Sequence, residues 1–141
     1  MRFALAPLPL LLSAGCLVYS GGGGGGGGSS KSPSNEAPLV QWADASCYWD
    51  EGYRDAVWWF EADVVDSDGL DDVVAVYADV YDGFTGEWVD AFELYYDGGN
   101  TWYSAWQGRS TYLDCDYYDY VVDFQPEDVV GGGQVYSLDL Y

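Results

Sequence analysis

The sequence predicts an all-β domain, an antiparallel β-sandwich of about seven short strands, and three observations predict it. Apolar and polar residues alternate with period two from Leu39 onward. β-Branched and aromatic residues fill those runs, as they do in half-buried sheets. Glycine- and aspartate-rich turn signals separate the runs, and no stretch carries a convincing helical period.

Taken in order, a first strand is expected near Val40 to Tyr48. In the second, Ala56, Trp58, Phe60, Ala62 and Val64 share a face, with Val57, Trp59, Glu61 and Asp63 opposite. In the third, Val74, Val76, Ala78 and Val80 form the apolar face and Val73, Ala75, Tyr77 and Asp79 the other. The fourth sets Trp88, Asp90, Phe92 and Leu94 against Val89, Ala91, Glu93 and Tyr95. Trp102 and Trp106 flank Ser104 in a short fifth strand. Tyr120, Val122 and Phe124 alternate with Val121 and Asp123 in a sixth, and Tyr136, Leu138 and Leu140 make the last. The turns are Ser67-Asp68-Gly69, Asp82-Gly83, Thr85-Gly86, Asp97-Gly98-Gly99-Asn100 and Gly131-Gly132-Gly133.

Composition narrows the function. The chain has 141 residues, and residues 39–141 are the size of one domain. All 24 acidic residues lie at or beyond Glu36, and the net charge is −20. Such a surface has no basic footprint for phosphate, so no nucleic-acid partner is expected. Cations and basic partners are attracted instead. Seven Trp, fourteen Tyr and five Phe supply the apolar area that keeps so acidic a chain from disorder. Without His, the commonest general base and transition-metal ligand is missing.

At the N-terminus, Met1-Arg2 precedes an apolar run from Phe3 to Leu12, too short to cross a bilayer. Small residues Ser13-Ala14-Gly15 then lead to Cys16. Leu12-Ser13-Ala14-Gly15-Cys16 resembles the lipobox of bacterial lipoproteins, although Leu12 stands one position further from the cysteine than the family pattern has it. The resemblance implies a signal peptide over residues 1–15, acylation of Cys16 and a membrane held through that lipid. Leu17, where an aspartate would imply inner-membrane retention, leans the expected location to the outer membrane. The competing reading is an ordinary secretory signal cut nearby. With Arg2 removed, the net charge becomes −21.

If Cys16 carries lipid, Cys47 and Cys115 remain as a pair, and an oxidising envelope would join them. That disulfide would contribute roughly 4 kcal/mol in the chain-entropy picture. Two buried free thiols are the alternative. Residues 16–38 read as a disordered, Gly/Ser-rich leash: eight glycines from Gly21 to Gly28, then serines and prolines, reaching roughly 25 Å. No strand precedes those glycines and no helix with a Lys follows, so they are not a phosphate loop.

The strand count, and the order Cys47, Trp58 or Trp59, Cys115, resemble immunoglobulin-like or fibronectin-like sandwiches of bacterial surface proteins. The match is at pattern level: Cys47 stands on the first strand, and Tyr112 is three residues before Cys115 where the family's tyrosine corner wants two. It implies a binding or structural module in the cell envelope and transfers no functional residue.

Two candidate sites follow. Asp66, Asp68, Asp71 and Asp72 surround Gly69, and carboxylates converging at a sharp turn suit calcium; a soluble hairpin turn is the other reading. No cofactor is expected unless that turn takes up calcium. Exposed aromatics beside acids, Trp59, Tyr77, Tyr95 and Tyr103 above all, suit a sugar ring or an envelope protein, or simply cover a sheet face. Nothing forms a catalytic signature: there is no Gly-x-Ser-x-Gly and no His-bearing triad, and carboxylate pairs among so many acids arise by chance. The leading expectation is a non-enzymatic envelope lipoprotein; a calcium-stabilised adhesion module and a carbohydrate-binding module are the alternatives.

Overall fold

The computed structural model of the chain describes residues 35–141. The signal peptide, Cys16 and the glycine run lie outside the described residues. Seven strands follow in sequence: β1 (Leu39–Asp50), β2 (Asp55–Val65), β3 (Val73–Asp82), β4 (Trp88–Gly98), β5 (Thr101–Gln107), β6 (Tyr120–Asp128) and β7 (Tyr136–Asp139). Two single 3-10 turns, Leu70–Asp72 and Gly108–Ser110, are the only helical segments among the described residues.

The strands are ordered β1-β2-β5-β4-β3-β6-β7, each antiparallel to its neighbours. β4 joins the two halves by dividing its length. Its first part, Trp88 to Leu94, pairs with β3; its last part, Tyr95 to Gly98, pairs with β5. A parallel bridge between Leu39 and Gln134 brings the outer strands together, so the sheet is nearly barrel-shaped.

Period two explains the core. Trp58, Phe60, Ala62 and Val64 of β2 meet Val76, Ala78 and Val80 of β3, Phe92 and Leu94 of β4, and Val122 and Phe124 of β6. Phe60 stacks on Phe92 with ring centroids 4.6 Å apart, and Trp58 meets the edge of Tyr120 at 5.8 Å. Cys47 faces inward beside Trp58, its partner in register, and forms a disulfide with Cys115, their Cα atoms 5.7 Å apart. The bridge ties β1 to the β5–β6 connection, which buries Leu113.

Two expected faces are corrected by β-bulges. The β3–β6 register slips between Val73 and Ala75, so Val73 is buried and Val74 is 57% exposed, the reverse of the alternation expected. The β3–β4 register slips between Val80 and Tyr81, opposite Asp90 and Trp88, which turns Val89 toward the core and leaves Trp88 exposed. β1 carries a third slip between Val40 and Trp42.

Asn35 to Pro38 lie against the domain. Pro38 is fully buried, and its carbonyl sits so close to Gly133 that no side chain fits there. The strand directions put the chain's entry at Asn35, the Asp66–Asp72 loop, the β4–β5 turn and the β6–β7 connection at one end. The β1–β2 turn, the β3–β4 turn, the β5–β6 connection and Tyr141 lie at the other.

Candidate functional site

The acidic loop between β2 and β3 turns at Gly69, whose φ of 117° disfavours any side chain. One carboxylate oxygen from each of Asp66, Asp68 and Asp72 falls within 4.8 Å of the others; Asp71 is outside this group. Asp66 Oδ2 and Asp72 Oδ1 are enclosed and have no hydrogen-bond partner. The backbone N–H groups of Asp68 and Glu36 donate to Asp66 Oδ1 and Asp68 Oδ2, each at 3.2 Å. The contact with the Asp68 carboxyl, then burial, raises the pKa of Asp66, while Asp68 is lowered as the other partner in that contact. An all-oxygen set with two unpartnered oxygens fits the needs of a hard cation.

The four expected aromatics divide. Tyr95 and Tyr103 are partners in register, Tyr103 also pairs with Glu61, and Trp59 pairs with Ala105 one row away. Those three share the outer face of β2, β5 and the end of β4. Burial, then Asp63, Asp44 and Asp97, raise the pKa of Glu61 beside them. Tyr77 is not with them: it lies on β3, between Glu93 and Gln125.

A second set of aromatics crowds the end away from Asn35. Trp49, Phe84, Trp88, Tyr112, Tyr118 and Tyr141 are all exposed there, Phe84 at 89% and Tyr141 at 93%. Asp82 holds this end together. Its Oδ1 accepts the N–H groups of Phe84 and Thr85 at 2.9 and 2.8 Å, and Tyr117 Oη donates to Oδ2 at 3.0 Å. The Thr85 amide leads in lowering its pKa. Sequence reasoning missed Phe84, Trp88 and Tyr112 as surface groups. The available signal was an aromatic inside a turn motif, Asp82-Gly83-Phe84-Thr85-Gly86.

No family model, curated protein or solved structure matches the chain. The residues themselves carry the functional argument. Open hollows on the surface include one of about 310 Å³ beside Phe84 and Tyr141, one of about 620 Å³ beside the disulfide, and one of about 330 Å³ lined by Tyr95, Tyr103, Ser104, Ala105 and Trp106.

Proposed function

We propose that this is a non-enzymatic bacterial envelope lipoprotein, acylated at Cys16 and held in the outer membrane, whose immunoglobulin-like sandwich binds another envelope component through its outer end. The exposed aromatics Phe84, Trp88, Tyr112 and Tyr141 carry the reading, because they stand at the end opposite Asn35, where the leash enters. A tether at one end and an apolar, acid-rimmed surface at the other suit a domain presented outward. Exposed aromatic side chains gathered at one end of a domain favour an interaction site.

Two features support the immunoglobulin-like assignment. Splitting the strand order at β4 gives β1-β2-β5-β4 and β3-β6-β7, which in chain order is the A-B-E-D and C-F-G arrangement of that fold. Tyr120, near the start of β6, accepts the Asp114 N–H at 3.0 Å, a link like the family's tyrosine corner; Tyr112 is instead 83% exposed. Mass spectrometry of the mature N-terminus tests the anchor: a diacylated or triacylated Cys16 is expected, and an unmodified one refutes it. A glycan array separates a sugar partner from a protein one.

The enclosed, unpartnered oxygens of Asp66 and Asp72 favour a second reading, calcium stabilisation of the leash end. Millimolar calcium is then expected to raise the melting temperature, and Asp66→Asn to remove the rise. An unchanged melting temperature removes this reading.

A further inference from the structure

β5 has an edge that its neighbour abandons. β2 pairs with β5 from Thr101 to Gln107, but β4 pairs with it only as far as Tyr103 before leaving for β3. Val64 N–H donates to the Asn100 carbonyl at 2.8 Å, which sets the phase of the β2–β5 ladder. By alternation the even-numbered residues of β5 bond to β2, and Tyr103 turns to β4. The N–H and C=O of Ala105 and Gln107 therefore face the vacated side. The 330 Å³ hollow lined by Tyr95, Tyr103, Ser104, Ala105 and Trp106 lies along that stretch. Beneath it the core stays sealed, with Phe92 and Trp106 ring centroids 5.8 Å apart.

The other free edges are protected in the usual ways. β1 has a bulge with Asp44 and Asp50, β4 has a bulge with Asp90 and Glu93, and β7 is only four residues long. Ser104-Ala105-Trp106-Gln107 has no charge, no proline and no bulge. Glu61 of β2 is the partner in register of Tyr103, Glu93 stands two residues before Tyr95 on β4, and Asp97 lies near the end of β4. The described residues include two basic side chains, Arg54 and Arg109, and Arg109 is engaged by Asp55 and Gln107.

We infer that the free edge of β5 takes up an extended, lysine- or arginine-bearing segment of a partner protein as an added strand. Backbone pairing to Ala105 and Gln107 would supply affinity, and the tyrosine walls and surrounding acids the selectivity. A second copy of this chain is disfavoured as occupant by its own charge of the same sign. The inference rests on the reading of the domain as a binding module and adds to the aromatic outer end a second contact surface, with the chemistry of the segment it takes.

The test uses the mature lipidated chain in detergent, with a peptide alternating lysine and threonine as probe. A second peptide is N-methylated at alternate amides, which removes edge pairing and keeps the charge. The first is expected to bind and to shift the backbone amide resonances of Ala105 and Gln107, and the methylated one to bind at least about tenfold more weakly. Ala105→Pro removes an N–H that β2 does not use, and is expected to cost a similar factor with the fold retained. If that variant does not fold, Ala105→Lys on the exposed face repels the same probe. Equal affinity for the two peptides overturns the inference, as do shifts confined to β1 or β7, or full binding by a folded Ala105→Pro protein. Self-association that Ala105→Pro abolishes also overturns it, in favour of a second copy. If the peptide fails while Phe84 still contacts an envelope partner, the inference falls and the proposed function stands.

Discussion

Asp128 joins the chain's entry at Asn35 to the turn that follows β6, two segments distant in sequence. Its Oδ1 accepts the N–H groups of Val130 and Gly131 at 2.6 and 2.7 Å, and Asn35 Nδ2 donates to Oδ2 at 2.7 Å. The Gly131 amide leads in holding its pKa below the usual carboxylate range. A lowered folded pKa means that the stabilisation is complete above the unfolded value of about 3.9 and is lost as pH falls through the folded value. Asp128→Asn should therefore lower the melting temperature at neutral pH and flatten the decline below about pH 3.9. A variant with the wild-type pH profile would remove Asp128 from this role. Phe60 is fully buried and stacked on Phe92. Phe60→Ala should cost about 3–5 kcal/mol in denaturant unfolding, through lost burial and the cavity left behind.

At the scale of the strands, alternation was legible wherever a strand runs without a slip. β2 and β6 follow the expected faces, because both are central and buried by sheet on either side of their length. Val74 and Val89 departed for one physical reason. A bulge depends on the partner's register, which no single strand's sequence contains. The two valines at the start of β3 offer a direct comparison. Val74→Asp, on the exposed side, should change stability by less than about 0.5 kcal/mol, whereas Val73→Asp buries a charge and should unfold most of the protein. Similar costs for the two would place the bulge elsewhere. The acidic loop was equally legible, since Asp66, Asp68 and Asp72 are neighbours in sequence. The aromatic end was not, because Phe84, Tyr112 and Tyr141 come to one end only once the topology decides which turns share it.

Across the whole molecule, charge and cross-linking oppose each other. The described residues carry 24 acids against two arginines, so self-repulsion loosens the domain and the disulfide restrains it. Reducing Cys47–Cys115 should cost about 2–5 kcal/mol, and added salt should recover part of that loss by screening. Reduction that leaves the unfolding midpoint unchanged would show the bridge to be dispensable. The chain enters the domain at the end that carries Asn35, and the exposed aromatics stand at the other, which is the polarity the proposed anchor would use. Site-specific photocrosslinking in intact cells tests that polarity most directly, with the reactive group placed at Phe84 or, as the control near the leash, at exposed Val74. A discrete higher-mass adduct is expected from position 84 and none from position 74. Equal labelling from both positions, or none from position 84, would contradict it.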